Sequence, residues 1–136
     1  VYWMNRDIID DYPLDLISPV DWTDETQNIN DRVRSYLDVN CGHCHSPTGN
    51  ANSTGLYLHL NETRDIHLGV NKKPVATGRG SGGMKYSIVP GKPEESILLH
   101  RMISLDPGVM MPESGRALSH TEAVDMVRSW ILLMKE

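Results

Sequence analysis

Two stretches of the chain carry a helical repeat of apolar positions, and the long interval between them does not. Within residues 24–40, Ile29, Val33, Tyr36 and Leu37 recur at three- and four-residue spacing. That spacing predicts a helix that Asp24 or Thr26 could cap, with Asp31, Arg32 and Arg34 turned to water. Near the other end, Ser119-His120-Thr121-Glu122 reads as a capping box. It opens a second helix with apolar positions Ala123, Val124, Met126, Val127, Trp130, Ile131 and Met134. A shorter helix is predicted from Pro93 to about Ser104: Pro93 suits the first turn, and Glu94 and Glu95 suit the positive helix end. Leu56–Leu60 alternates with period two and predicts a short strand. Residues 61–88 are weakly patterned, ending in the flexible stretch Gly78-Arg79-Gly80-Ser81-Gly82-Gly83. No strand-then-helix context and no Gly-Lys-Ser/Thr ending accompany those glycines, so a phosphate cradle is excluded and a loop of close backbone approach is expected.

Residues 1–24 are acidic and punctuated by Pro13 and Pro19, yet they interleave Tyr2, Trp3, Ile8, Ile9, Tyr12, Leu14, Leu16, Ile17 and Trp22. A free linker would not carry so many large apolar groups. An irregular N-terminal arm packed on the body is expected, with residues 25–136 as one domain. The rival reading is a docking segment for a neighbouring domain.

Composition narrows the function classes. At 136 residues the chain has a single-domain length. Its 13 Lys+Arg against 18 Asp+Glu give a net charge of -5, which argues against nucleic acid as a partner. No run is long and apolar enough for a membrane helix, so no membrane insertion is expected. Phe is absent and there are only three Trp and five Tyr, so the core is lean in aromatic residues. A large apolar prosthetic group would fill that gap.

Both cysteines of the chain fall in Cys41-Gly42-His43-Cys44-His45, the attachment signature of haem c. Two thiols three positions apart on one turn can each add across a vinyl group of the same porphyrin, and the adjacent His45 can reach the iron. A thioredoxin-type couple would need a strand before the pair and a helix after it; here a helix precedes and Ser46-Pro47 follows. A zinc site would need a second ligand pair, and His59, His67, His100 and His120 are scattered without paired spacing. His43 is expected to face solvent.

A first helix, Cys-x-x-Cys-His, a downstream Met111-Pro112 and a closing amphipathic helix follow the order of a class I c-type cytochrome, which residues 25–136 resemble. The stretch from Ile88 to Ser96 also resembles the bacterial subset with Pro-Gly-x-Pro-x-x-Ser before Met-Pro. The resemblance implies an all-α, cytochrome c-like helical fold around one covalent haem, with long loops. It implies iron held by His45 and a methionine. Met111 is favoured because it precedes Pro112 as the ligand does in resembling proteins; Met110 and Met84 are alternatives, and a bis-histidine site would use His59, His67 or His100. For the haem propionates, Arg79 is the first choice, with Lys85, Arg101 and Arg116 behind it.

The function implied is one-electron transfer between Fe(III) and Fe(II), by an electron carrier rather than an enzyme. Its partners would be redox proteins such as a dehydrogenase, an oxidase or a copper oxygenase, met in the periplasm or outside the cell. The alternative is a sensor or peroxidase-type haem site with a labile or missing sixth ligand. Val1–Arg6 shows no basic-then-apolar leader, so a mature monomer or a domain excised from a longer chain is expected.

Overall fold

The computed structural model describes residues 2–12, 16 and 18–135. Pro13, Leu14 and Ile17 of the arm lie outside the described residues. Helix α1 runs Ile29–Leu37, α2 Asp65–Leu68, α3 Ile97–Ile103 and α4 Thr121–Leu133. The expectation of an all-α fold is therefore corrected. With helices of 9, 4, 7 and 13 residues, most of the described chain is turn, 3₁₀ and irregular backbone, and the architecture is mixed and largely loop. The physical reason lies in residues 43–120, where glycines, prolines and short polar side chains interrupt every apolar repeat before it extends far. No described helix is long and apolar enough to cross a membrane.

α1 starts later than the sequence suggested. Asn28 is its cap, its side chain accepting from Asn30 N at 2.8 Å. Asp24 instead closes a turn of its own, accepting from the Thr26 amide and hydroxyl. After Leu37 the helix widens into a π turn, Asp38–Gly42, which carries the chain into Cys41. α4 starts at Thr121 with His120 as N-cap and no side-chain cap bond, so the expected capping box does not form. Ser119 Oγ donates across to Met102 O at 3.3 Å instead.

α1 and α4 pack together, and their apolar stripes make the centre of the core. Val33, Leu37, Ala123, Val127 and Ile131 are all buried. Each such Leu, Ile or Val contributes about 1.5–3 kcal/mol through burial. Trp130 Nε1 donates to Asn30 Oδ1 at 3.1 Å, fixing the two helices in register. Leu99 and Met102 of α3 join the same cluster, with Leu58 and Ile88 from the loops. Ser96 is buried just before α3, accepting from Val89 N at 2.9 Å and donating to Lys92 O at 3.0 Å.

The expected strand at Leu56–Leu60 does not form. Its amides are taken singly, Tyr57 N by His67 O and Leu58 N by His45 O, both at 2.7 Å, so no ladder develops. Among the described residues only two isolated bridges occur, Val70 with Ile88 and Tyr86 with Ser96. In the arm, Val20 and Trp22 are half-buried and Trp22 packs on the core, whereas Tyr2, Trp3, Ile8, Ile9 and Leu16 are exposed.

Candidate functional site

The π turn brings the two thiols onto a single turn of backbone. Cys44 N donates to Cys41 O at 3.1 Å and His45 N to the same oxygen at 2.8 Å. Both cysteines are free and half-buried, and Cys41 packs against the core cluster. Burial, with Cys44 nearby, pushes the Cys41 thiol up to about 11, so it stays protonated at neutral pH. Gly42 is buried against the backbone of His59. Gly49 lets the following loop fold back over the turn: a Cβ there would stand 2.2 Å from Cys44 O, which no side chain can occupy. Ala51 N then donates to Cys44 O at 3.0 Å and closes the loop.

His45 is half-buried, and burial holds its imidazole below the usual histidine range, favouring the neutral form that can ligate a metal. The Leu56 backbone opposes that shift, but Nδ1 is buried and makes no hydrogen bond among the described residues. Pro47 is exposed, and the Leu58 amide donates to His45 O. His43 is exposed.

The methionine loop is tied back to α3. Met111 N donates to Arg101 O at 3.0 Å, and Arg101 Nε donates to Val109 O at 2.8 Å. Arg101 lowers and Glu113 raises the His45 pKa, both less than burial does. Met110 and Met111 are half-buried, as is Met84, which sits beyond the glycine stretch with its amide on Ser81 O. Met126 belongs to the core and Met134 packs partly against it.

The remaining candidates are spoken for differently. Arg79 forms a surface ion pair with Asp106 at 3.0 Å, its side chain 70% exposed, and lies on Gly108. Arg116 is spent on the carboxyl end of α3, donating to Met102 O, Arg101 O and Ser104 O. Lys85 is exposed. Arg101 is half-buried, with Gly80 packed under its guanidinium. Of the other histidines, His67 bonds Gly55 O at 3.0 Å and stacks on Tyr57 at 4.8 Å, while His100 lies under Gly82. His59 has a buried Nδ1 without a partner, on the flank of the attachment turn.

Arg34 is the residue that sequence reasoning misplaced. It was expected to face water; it is 9% exposed, and its Nη2 reaches the carbonyls of His59, Leu60 and Glu62 at 2.8–2.9 Å. Two protons serve three oxygens, so one is shared. A signal existed: position 34 adjoins Val33 on the edge of the apolar stripe, where a long cation can reach over a neighbouring loop.

Two free thiols on one turn and an imidazole directly after it, held towards its neutral form, are the donor set a porphyrin with two vinyl groups requires, and the buried Nδ1 of His45 has no hydrogen-bond partner among the described residues. The residues present therefore fit haem c at the attachment turn. Compared with protein-family models, with curated proteins and with solved structures, the chain finds no match.

Proposed function

We propose that this protein carries one haem c on Cys41 and Cys44 and transfers single electrons between redox protein partners. The observation that carries the reading is the Cys41–His45 turn itself: both thiols share one turn, and the imidazole that follows is half-buried and disposed to be neutral. Haem c supplies a one-electron Fe(III)/Fe(II) couple, and a thioether ligand favours its ferrous form.

Around that group the chain's residues do the positioning. His45 would hold the iron through its imidazole, its backbone tied down by the Leu58 amide. Met111 would supply a thioether to the same iron, its loop anchored to α3 through Arg101. Arg101 also replaces Arg79 as the favoured partner of a propionate, because it is half-buried and its backbone holds Met111, while Arg79 is committed to Asp106. Apolar side chains of the core back the Cys41 flank and exclude water from it.

The test is expression with a haem c maturation system. Covalent haem should be present in the native chain and absent from the Cys41→Ala/Cys44→Ala double variant. The oxidised protein should show the weak red absorption band of iron–thioether ligation. Met111→Ala should abolish that band and Met110→Ala should keep it. A band surviving in Met111→Ala would refute the ligand assignment, and a chain that takes no covalent haem would refute the function.

A further inference from the structure

A groove of about 490 Å³ lies between the Trp22–Glu25 turn and the helices α1 and α4, away from the attachment turn. Trp22 and Met126 give it an apolar floor. Glu25, Glu122 and Asp125 stand on its rim, all exposed. Arg32 is the one cation lining it among the described residues, and its Nε is taken by Trp22 O at 2.7 Å. Arg128 approaches Asp125 only to 4.0 Å and is engaged with Glu94. The positive end of α4 is offset by Glu122 in its first turn. The groove is therefore greasy below and net negative above.

Its floor is continuous with the interior. Trp22 meets Tyr36 edge-on at 5.5 Å and His120 edge-on at 5.0 Å. Tyr36 Oη is 3.1 Å from His120 Nδ1, and His120 Nε2 faces Glu122 at 3.9 Å. Tyr36 is buried in the core cluster against which Cys41 packs. Packed aromatic rings thus lead from the groove to the neighbourhood of Cys41.

We propose that this groove docks the cationic surface of a redox protein. A Lys or Arg of the partner lays its stem on Trp22 and Met126 and its charge among Glu25, Glu122 and Asp125. One electron then passes between the partner's redox centre and the iron by way of Trp22 and Tyr36. It leaves one centre oxidised and the other reduced, with no bond made or broken. The electron route rests on the haem reading above; the docking does not.

The experiment is an NMR titration of the full, haem-loaded chain with hexalysine peptide. The Trp22 indole and the amides of Glu122 and Asp125 should shift, and salt near about 1 M, where the Debye length is about 3 Å, should abolish the effect. The triple variant Glu25→Gln/Glu122→Gln/Asp125→Asn should bind about tenfold more weakly. Shifts centred on another acidic stretch such as Asp10–Asp11, an affinity unchanged in the triple variant, or a groove closed by a second copy in sedimentation would each overturn the docking. Trp22→Leu should slow reduction of the haem by hexaammineruthenium(II) about tenfold, with Trp22→Phe restoring most of the rate. An unchanged rate in a folded Trp22→Leu protein overturns the route. A chain without haem leaves the peptide titration fully readable, so loss of the haem reading and loss of the docking are told apart.

Discussion

The α1–α4 pair and the long segment 43–120 are held together by different physics. The helices satisfy their own backbone groups and need only bury their stripes, which Val33, Leu37, Val127 and Ile131 do. The segment between them has few helices and no ladder among the described residues, so its carbonyls need side-chain donors. Arginines supply them: Arg34 to residues 59–62, Arg101 to Val109, and Arg116 to the end of α3. The candidate ligands Met111 and His45 sit in or beside this pinned loop region. Functional groups on loops are placed by the donors that fix those loops.

The comparison is broken most directly at Arg34. Arg34→Met keeps the packed stem but strips donors from three carbonyls, and should cost roughly 3–5 kcal/mol in urea denaturation. A loss under 1 kcal/mol would show that the loop half does not depend on its pins. On the helical side, Ile131→Ala removes a fully buried side chain and should cost about 3 kcal/mol. If the chain carries haem as proposed, Ile131→Ala should leave its spectrum unchanged, while Arg34→Met should alter it because His59 lies against Gly42 of the Cys41–His45 turn.

A smaller effect is expected at Glu62. Its carboxylate accepts from Arg64 Nε and Nη2, both at 2.8 Å, and from the amides of Thr63 and Arg64. The Arg64 hydrogen bonds are the chief cause that holds it well down, to about 2 from 4.5. The folded form therefore binds a proton less readily than the unfolded one. This contribution is complete above pH 4.5 and is lost as pH falls towards 2. Arg64 is 61% exposed, so screening reduces the effect to about 1 kcal/mol. Glu62→Gln should flatten the acid limb of a stability–pH profile between those values; a limb identical to the native one would assign acid sensitivity to other carboxylates. Smallest of all, Arg79→Ala breaks only an exposed ion pair and should change the melting temperature hardly at all, by less than about 0.5 kcal/mol in free energy. A large fall in haem retention in that variant would restore Arg79 as a propionate partner in place of Arg101.

The helical parts of the fold were legible because a repeat of apolar residues at positions such as 33, 36, 37 or 123, 127, 131 leaves one way to bury them. Their starts were less so. Asn28 took the cap that Asp24 and Thr26 could have provided, and Ser119 turned its hydroxyl to Met102 although its sequence matched a capping box. Capping is decided by which acceptor lies nearest once the chain has turned, and several residues are chemically suitable at each end. The period-two run at Leu56–Leu60 failed as a strand because no neighbouring segment offered it a ladder. The all-α expectation failed with it, since weak patterning over residues 61–88 said that helices were few there without saying what replaced them.

By itself the sequence put the thiols of Cys41 and Cys44 and the imidazole of His45 on one turn, because that spacing needs no long-range contact. It also determined which faces of α1 and α4 are apolar, because that follows from helical period. Tertiary structure alone decided that Arg34 points inward, that Arg101 pins the Val109 carbonyl while Arg79 pairs with Asp106, and that Trp22, Tyr36 and His120 meet. Each of these joins residues that are not adjacent in the chain, and a cation or an aromatic ring carries no mark in the sequence of which carbonyl, carboxylate or ring it will find.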